Sequence, residues 1–330
     1  MPSRIVLVLL FLPAACGRAP AGEVVVYTSF DSIFAREIFD AFTRRTGIAV
    51  KSVPDTEEGK TIGLVNRLLQ ERAHPQADVF WNGECARTVF LGERGILEPY
   101  RPPTAGSVGA EWRDPGDRWV GFGARARVIV YTTDRVKKPP STLAELADPA
   151  WRERVVMANP FFGTTATHVA ALAQQSSEEA VLKLLESFRA NGIRLVGGNS
   201  HVRDLVARGE RDVGLTDTDD VWVGKQRGDP IDMVYPDQDG TGTLLIPNTV
   251  ALVKGAPRPV QAKAFIDFLA GPEAEALLAG SRSRQMPVRL EVAGAAGVPT
   301  VRQLKAMKVD WPRVTASEDF LIKARRSLGL

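Results

Sequence analysis

Three aspartates, Asp217, Asp219 and Asp220, stand within four residues of one another. They follow an apolar run at 213–215, which predicts a strand, and a helical pattern continues after them. Carboxylates in this position either stabilise the first turn of a helix through its dipole or form the floor of a ligand site. Such hard oxygen donors suit Fe³⁺, Mg²⁺, Mn²⁺ or Ca²⁺, and they would equally suit an organic cation.

Two other turns have the residue types that bind anions. Each precedes a predicted helix, where free backbone N–H groups and hydroxyls can hold phosphate, carbonate or a carboxylate. The candidate anion-binding residues of these turns are Gly163, Thr164, Thr165, Asn199 and Ser200. Ordinary helix N-capping explains the same residues equally well. Arg125 and Arg127 alternate with small residues and could add positive charge for an anion or pair with the aspartates.

The remaining reactive side chains form no catalytic pattern. No Ser/His/Asp grouping, zinc-ligand spacing or phosphate-binding loop is present in the sequence. His168 and His201 fall in first helical turns, where a place on the helix surface is expected. Cys85 is expected to be inert, because nothing near it in the sequence favours a thiolate. A metal-dependent hydrolase using the three aspartates is therefore the least favoured alternative.

Composition narrows the function classes. The 330 residues include 42 basic and 39 acidic side chains, a formal net charge of +3, and no block of Lys and Arg stands out. This balance argues against nucleic acid as a partner. The length exceeds that of an average domain, so two lobes are expected.

The N-terminus is typical of a bacterial export signal. Residues 1–15 combine a basic start, an apolar segment and small residues, which predicts a signal peptide. Cys16 follows two alanines, as in a lipobox, so it is the predicted lipid-attachment residue, with 16–22 as a tether. Pro13 stands where an aliphatic residue is usual, which keeps ordinary signal-peptidase cleavage open as the alternative.

Apolar runs alternate with amphipathic stretches along the chain. Strands are predicted at 23–27, 48–53 and 77–81, with helices at 33–46, 61–72 and 86–94. This alternation predicts an α/β fold with a mostly parallel sheet. A second group of such units follows residue 128, and open α/β sheets bind ligands at the carboxyl ends of their strands.

Several blocks of sequence resemble one family when they are taken together. They lie at 24–29, 77–84, 95–99, 125–131, 159–163, 212–215, 246–255 and 262–269. The series resembles the periplasmic substrate-binding proteins of ABC importers, in the ferric-binding class, over nearly all of the mature chain. The resemblance implies a type II periplasmic-binding-protein fold, with two α/β lobes, each a mostly parallel sheet flanked by helices, and a two-segment hinge. Lobe 1 would comprise 23–127 and 237–330, and lobe 2 would comprise 128–236.

The resemblance also implies a ligand set. Ferric-binding relatives hold the metal with two adjacent tyrosines after a Val-Gly-Leu strand, and here those positions carry Asp219 and Asp220. A histidine of some relatives corresponds to Asp31, and a glutamate corresponds to Glu84. The implied metal ligands are therefore Asp31, Glu84, Asp217, Asp219 and Asp220. A synergistic carbonate or phosphate would bind in lobe 2, near the turns described above.

These features together predict a binding protein and not an enzyme. It would capture ferric iron or another hard metal ion, with its anion, and deliver the ion to an ABC permease of the inner membrane. We expect a monomer, anchored by lipid in the periplasm or at the cell surface. Because the tyrosines are replaced, a small charged organic solute, such as a phosphorylated compound or an amine, stays open as an alternative.

Overall fold

The computed structural model describes residues 22–55, 62–161, 163–315 and 317–330. The predicted signal peptide, Cys16 and most of the predicted tether lie outside these residues. The strands are β1 (Glu23–Thr28), β2 (Ala49–Pro54), β3 (Val79–Asn82), β4 (Leu97–Glu98), β5 (Val120–Thr132), β6 (Val155–Ala158), β7 (Arg194–Val196), β8 (Val213–Asp217), β9 (Ile231–Val234) and β10 (Leu245–Val253). The α-helices are α1 (Ser32–Thr46), α2 (Ile62–Gln70), α3 (Cys85–Glu93), α4 (Gly163–Gln175), α5 (Glu178–Ala190), α6 (Asn199–Ala207), α7 (Thr218–Arg227), α8 (Pro259–Leu269), α9 (Pro272–Gly280), α10 (Trp311–Thr315) and α11 (Glu318–Ser327).

One long strand, β5, belongs to both halves of the molecule. Its residues 120–126 pair with β10, which continues through β3 to the parallel strands β1 and β2. Its residues 127–132 pair with β8 and β9, and β8 continues to the parallel strands β6 and β7. We call the β1–β4 and β10 side the first half and the β6–β9 side the second half. The α/β prediction is confirmed, and the antiparallel pairings of β5 and β10 make the sheet mixed.

Helix α1 illustrates how the sequence pattern produces packing. Phe34, Ile38 and Phe42 recur every four residues, lie on one face and are buried against the sheet. The helix ends at Gly47, whose φ of 74° is left-handed and whose N–H bonds to the Thr43 carbonyl at 2.8 Å. Ile33, which the apolar stripe also included, is exposed, because it lies on the outer side of the first turn.

The C-terminal helices bridge the two halves. Helix α10 packs against α3 of the first half, and α11 packs against α4 and α5 of the second half. Phe320 and Ala324 of α11 belong to the same buried cluster as Leu185 and Phe188 of α5. The predicted boundary, which assigned all of 237–330 to lobe 1, therefore stays a proposal, and α11 packs on the other side of it. Among the described residues, no helix combines the length and apolar character that crossing a bilayer requires.

Candidate functional site

The pairing of β5 with β8 brings the arginines of β5 next to the aspartates at and just after the end of β8. Arg127 and Asp217 are direct partners across this antiparallel pair. The Arg127 Nη1 atom lies 2.7 Å from Asp217 Oδ1, and both side chains are buried. Thr218, the first residue of α7, accepts a hydrogen bond from the Ala126 backbone N–H at 3.1 Å. The start of α7 is therefore fixed to the point where β5 passes from one half to the other.

Three of the predicted anion-binding residues, Thr164, Thr165 and Asn199, surround this buried ion pair. The Thr164 hydroxyl donates to Asp217 Oδ2 at 2.8 Å, and the Asn199 side-chain amide donates to the same oxygen at 3.0 Å. Arg127 donates to Asn199 Oδ1 at 3.1 Å and to the Thr165 hydroxyl at 3.3 Å. These side chains converge and hydrogen-bond to Asp217 and Arg127, and their binding of an anion stays a prediction.

The first turn of α7 carries the other two carboxylates. Asp219 Oδ2 lies 3.1 Å from Arg125 Nη1, in a pair whose side chains are 7% and 12% exposed. Asp220 Oδ1 lies 3.7 Å from Arg203 Nη1, and the Thr216 hydroxyl is 3.2 Å from Asp220 Oδ2. Asp217 at the end of β8 and the two aspartates of α7 thus each face a different arginine.

Burial makes the ionised form of these two aspartates unfavourable. It raises the pKa of Asp219 to about 6, with smaller contributions from the charges of Asp217 and Asp31, although Arg125 acts in the opposite direction. Burial likewise raises the pKa of Asp220 well above its ordinary value, and the Asp219 charge adds to the effect. A bound cation would act against both causes, because it would stabilise the ionised form of the buried carboxylates.

The three aspartates are a group that could hold a hard metal ion. Each can present one oxygen so that the three oxygens lie within 4.8 Å of one another. Two ligand oxygens on opposite sides of a small hard ion are about 4 Å apart, since each metal–oxygen bond is about 2 Å long. The spacing of the three oxygens is therefore near that of ligands around one hard ion.

The other two predicted ligands lie apart from this group. Glu84 caps α3, where its carboxylate accepts the backbone N–H groups of Ala86 and Arg87 at 2.6 and 3.1 Å. It also accepts a hydrogen bond from the Thr167 hydroxyl of the second half at 2.8 Å. Asp31, at the start of α1, is exposed, and its charge influences Arg125 and Asp219 without joining the three-oxygen group.

The other residues singled out in the sequence differ in how deeply they are buried. Gly163 begins α4 with a φ of 55°, and Ser200 is exposed in the first turn of α6. His168 is buried, which lowers the pKa of its imidazole well below the ordinary value, so the prediction of a surface histidine is wrong there. Burial raises the pKa of the Cys85 thiol, in agreement with an inert role.

The comparisons with known proteins identify the family. Residues 87–314 match the family model described as bacterial extracellular solute-binding protein. The chain belongs to this solute-binding family. Its members are the non-enzymatic binding components of ABC importers, found in the periplasm or outside the cell, as the sequence predicted.

Alignments with single relatives extend over nearly the whole solute-binding protein. It is 32% identical to Iron uptake protein A1 of Synechocystis sp., over 87% of this chain and 83% of the relative. It is 26% identical to a protein of Salmonella typhimurium, provisionally named as a 2-aminoethylphosphonate-binding periplasmic protein, over 96% and 95% of the two chains. The structure of iron-bound HitA from Pseudomonas aeruginosa superimposes with a TM-score of 0.83 at 24% identity, covering 93% of this chain and 99% of that one. The predicted two-lobe fold is confirmed.

Three contacts of this solute-binding protein were absent from the sequence prediction. Arg203 reaches Asp220 from α6, Thr167 reaches Glu84 from α4, and Asn248 Oδ1 of β10 lies 3.3 Å from Arg125 Nη2. Each joins side chains that lie in, or cap, different helices or strands, so it depends on tertiary packing. The position of Glu84 directly before a helical pattern was the one local signal, since that is where capping residues stand.

Proposed function

We propose that this solute-binding protein captures ferric iron together with an anion at the start of α7. Asp219 and Asp220 supply the principal metal ligands, and Asp217 lies beside them. The observation that carries the proposal is the convergence of three aspartate oxygens within 4.8 Å. The relationship to a protein named for iron uptake supports the choice of iron.

The charges around the site support an accompanying anion. Asp217, Asp219 and Asp220 are paired with Arg127, Arg125 and Arg203, so the group is nearly neutral. A bare trivalent cation would leave excess positive charge in a desolvated place, which is unfavourable. An anion such as citrate, carbonate or phosphate restores the balance when it enters with the metal.

We base the wider assignment on the family and on the N-terminal sequence. The loaded protein would deliver its solute to an ABC permease, and Cys16 would anchor it to the membrane through lipid. We propose that it acts as a monomer and that its halves form the two lobes joined at β5. Solute would enter between the halves, where Arg125 meets Asp219.

A thermal-shift panel tests the proposal, because a true ligand stabilises the native state by mass action. The metal-free protein is heated with ferric citrate, citrate alone, Mg²⁺, Mn²⁺ and Ca²⁺. We expect ferric citrate to raise Tm most, and the double variant Asp219→Asn with Asp220→Asn to lose at least about 100-fold in affinity, since it removes two charged ligands. The matched control carries Asp134→Asn with Asp239→Asn, two exposed aspartates elsewhere. Equal ferric affinity in both double variants would contradict the assignment.

A zwitterionic organic solute is the second candidate. Paired arginines and aspartates could bind opposite ends of a molecule that carries an amine and a phosphonate. The relationship to the Salmonella typhimurium protein supports its inclusion. Stabilisation by 2-aminoethylphosphonate in metal-free buffer, without any response to ferric citrate, would favour this function over iron capture.

A further inference from the structure

The three arginines that face the aspartates are held unequally. The Arg127 side chain is 0% exposed and contacts Asp217, Asn199 and two threonine hydroxyls. Arg203 is fixed by its neighbour Asp204, which two of its nitrogens approach at 2.8 and 2.9 Å. Arg125 pairs with Asp219 and makes a long 3.3 Å hydrogen bond to Asn248. Arg125 is therefore held by fewer hydrogen bonds than Arg127, and Asp219 is its principal charged partner.

Arg125 also lies at the junction of the two halves. A Cβ on Gly83 would come within 3.1 Å of Arg125 Nη2, so the guanidinium rests directly against the backbone of the first half. The centre of the guanidinium is 5.8 Å from the ring centroid of Phe30, in the same half. On its other side lies Asp219 of the second half, the carboxylate proposed to bind metal.

The Arg125 guanidinium supplies the positive charge that a bound metal ion would otherwise bring to these carboxylates. Asp219, Asp217, Asp31 and Asp220 all attract it electrostatically, in that order. An arginine keeps its positive charge at every pH that a protein meets, so this neutralisation cannot be switched off by deprotonation. An incoming cation has to compete with it directly.

We propose that Arg125 is a built-in counterion that holds Asp219 in the ligand-free protein and determines the charge of the solute that the site accepts. This inference rests on the proposed function. A hard cation takes Asp219 only if it attracts the carboxylate more strongly than Arg125 does, which favours trivalent over divalent ions. The released guanidinium then pairs with the anion that accompanies the metal, so anion and metal bind together.

Affinity for Ga³⁺, a redox-inert trivalent probe, separates this role from a purely structural one. Ga³⁺ binding is measured by calorimetry against a constant weak chelator, in carbonate-free buffer with and without citrate. We expect Arg125→Gln to bind Ga³⁺ about tenfold more tightly than wild type without citrate, because the competing charge is gone. We also expect the gain in affinity that citrate gives the wild type to disappear in this variant.

Two further variants serve as controls. Arg125→Lys retains the charge, so it should keep the citrate dependence of the wild type. Arg135→Gln removes an equal charge from a partly exposed pair with Asp212 and should behave as wild type. Unchanged or weaker Ga³⁺ binding by Arg125→Gln without citrate would overturn the inference while leaving metal capture intact. Absence of Ga³⁺ binding by the wild type in both buffers would overturn the proposed function and the inference with it.

Discussion

Two ion pairs, two residues apart on β5, have very different surroundings. Arg127 and Asp217 lie in the second half, fully enclosed, and hydroxyl and amide groups of Thr164, Thr165 and Asn199 hydrogen-bond to them. Arg125 and Asp219 cross between the halves, with a longer separation and a raised pKa for the aspartate. The first pair positions the start of α7, and the second pair is where a solute can compete.

The difference follows from the strand geometry. Arg127 is a register partner of Asp217, so the sheet itself holds the two side chains together. Asp219 lies beyond the end of β8, on the first turn of α7, where no backbone ladder fixes its distance from Arg125. Similar residue types thus serve a structural role in one place and a binding role in the other.

The largest effect is expected from breaking the enclosed pair. Arg127→Gln would leave Asp217 buried without its cation, and the free energy of unfolding should fall by about 3–5 kcal/mol. Arg125→Gln should cost only about 1–2 kcal/mol at neutral pH, because Asp219 can take up a proton instead. Urea denaturation of both variants without metal measures the two losses. Equal losses would mean that the two ion pairs contribute alike to stability, which would contradict the comparison.

The pH dependence of the free energy of unfolding, measured without metal, tests the environment of Asp219. Its pKa is raised from 3.8 in the unfolded chain to about 6, so the folded state keeps this proton longer than the unfolded state. The resulting stabilisation is complete below the unfolded pKa and is lost as pH rises through about 6. Wild type should therefore lose about 1–3 kcal/mol relative to Asp219→Asn between pH 4 and pH 7. A stability difference that is constant over this range would contradict the raised pKa.

A smaller effect is expected at the second contact between the halves. Thr167→Val removes the hydroxyl that donates to Glu84, and stability should fall by about 1 kcal/mol. Glu84 retains its two backbone partners in α3, which limits the loss. Thr167→Ser keeps the hydroxyl and should show no comparable loss in thermal denaturation. A loss as large as that of Arg127→Gln would show that this contact, too, holds the fold together.

Much of the fold could be predicted from local sequence patterns. The alternation of apolar runs and amphipathic stretches indicated the βα units, and Gly47 marked the end of α1. The position of α11 on the second half could not be found this way, because its apolar face does not specify which partner covers it. The convergence of Asp217, Asp219 and Asp220 was predictable, since four consecutive residues cannot lie far apart.

Pairing with the aspartates was one predicted role of Arg125 and Arg127, but the sequence does not decide which arginine meets which aspartate. The β5–β8 register decides that Arg127 meets Asp217, and register is a property of tertiary contact. Glu84 was expected at the metal because of a family resemblance, whereas its local position before α3 makes it a capping residue. Whether it also approaches a bound solute stays a prediction.

Anomalous diffraction from crystals of the protein loaded with ferric citrate tests the iron site most directly. We expect one iron peak within about 2–2.5 Å of carboxylate oxygens from both Asp219 and Asp220, with Arg125 turned away from Asp219. Arg127 should remain paired with Asp217 in the same crystals. An iron peak elsewhere, or a peak beside an unbroken Arg125–Asp219 pair, would contradict the assignment of this aspartate cluster as the iron site.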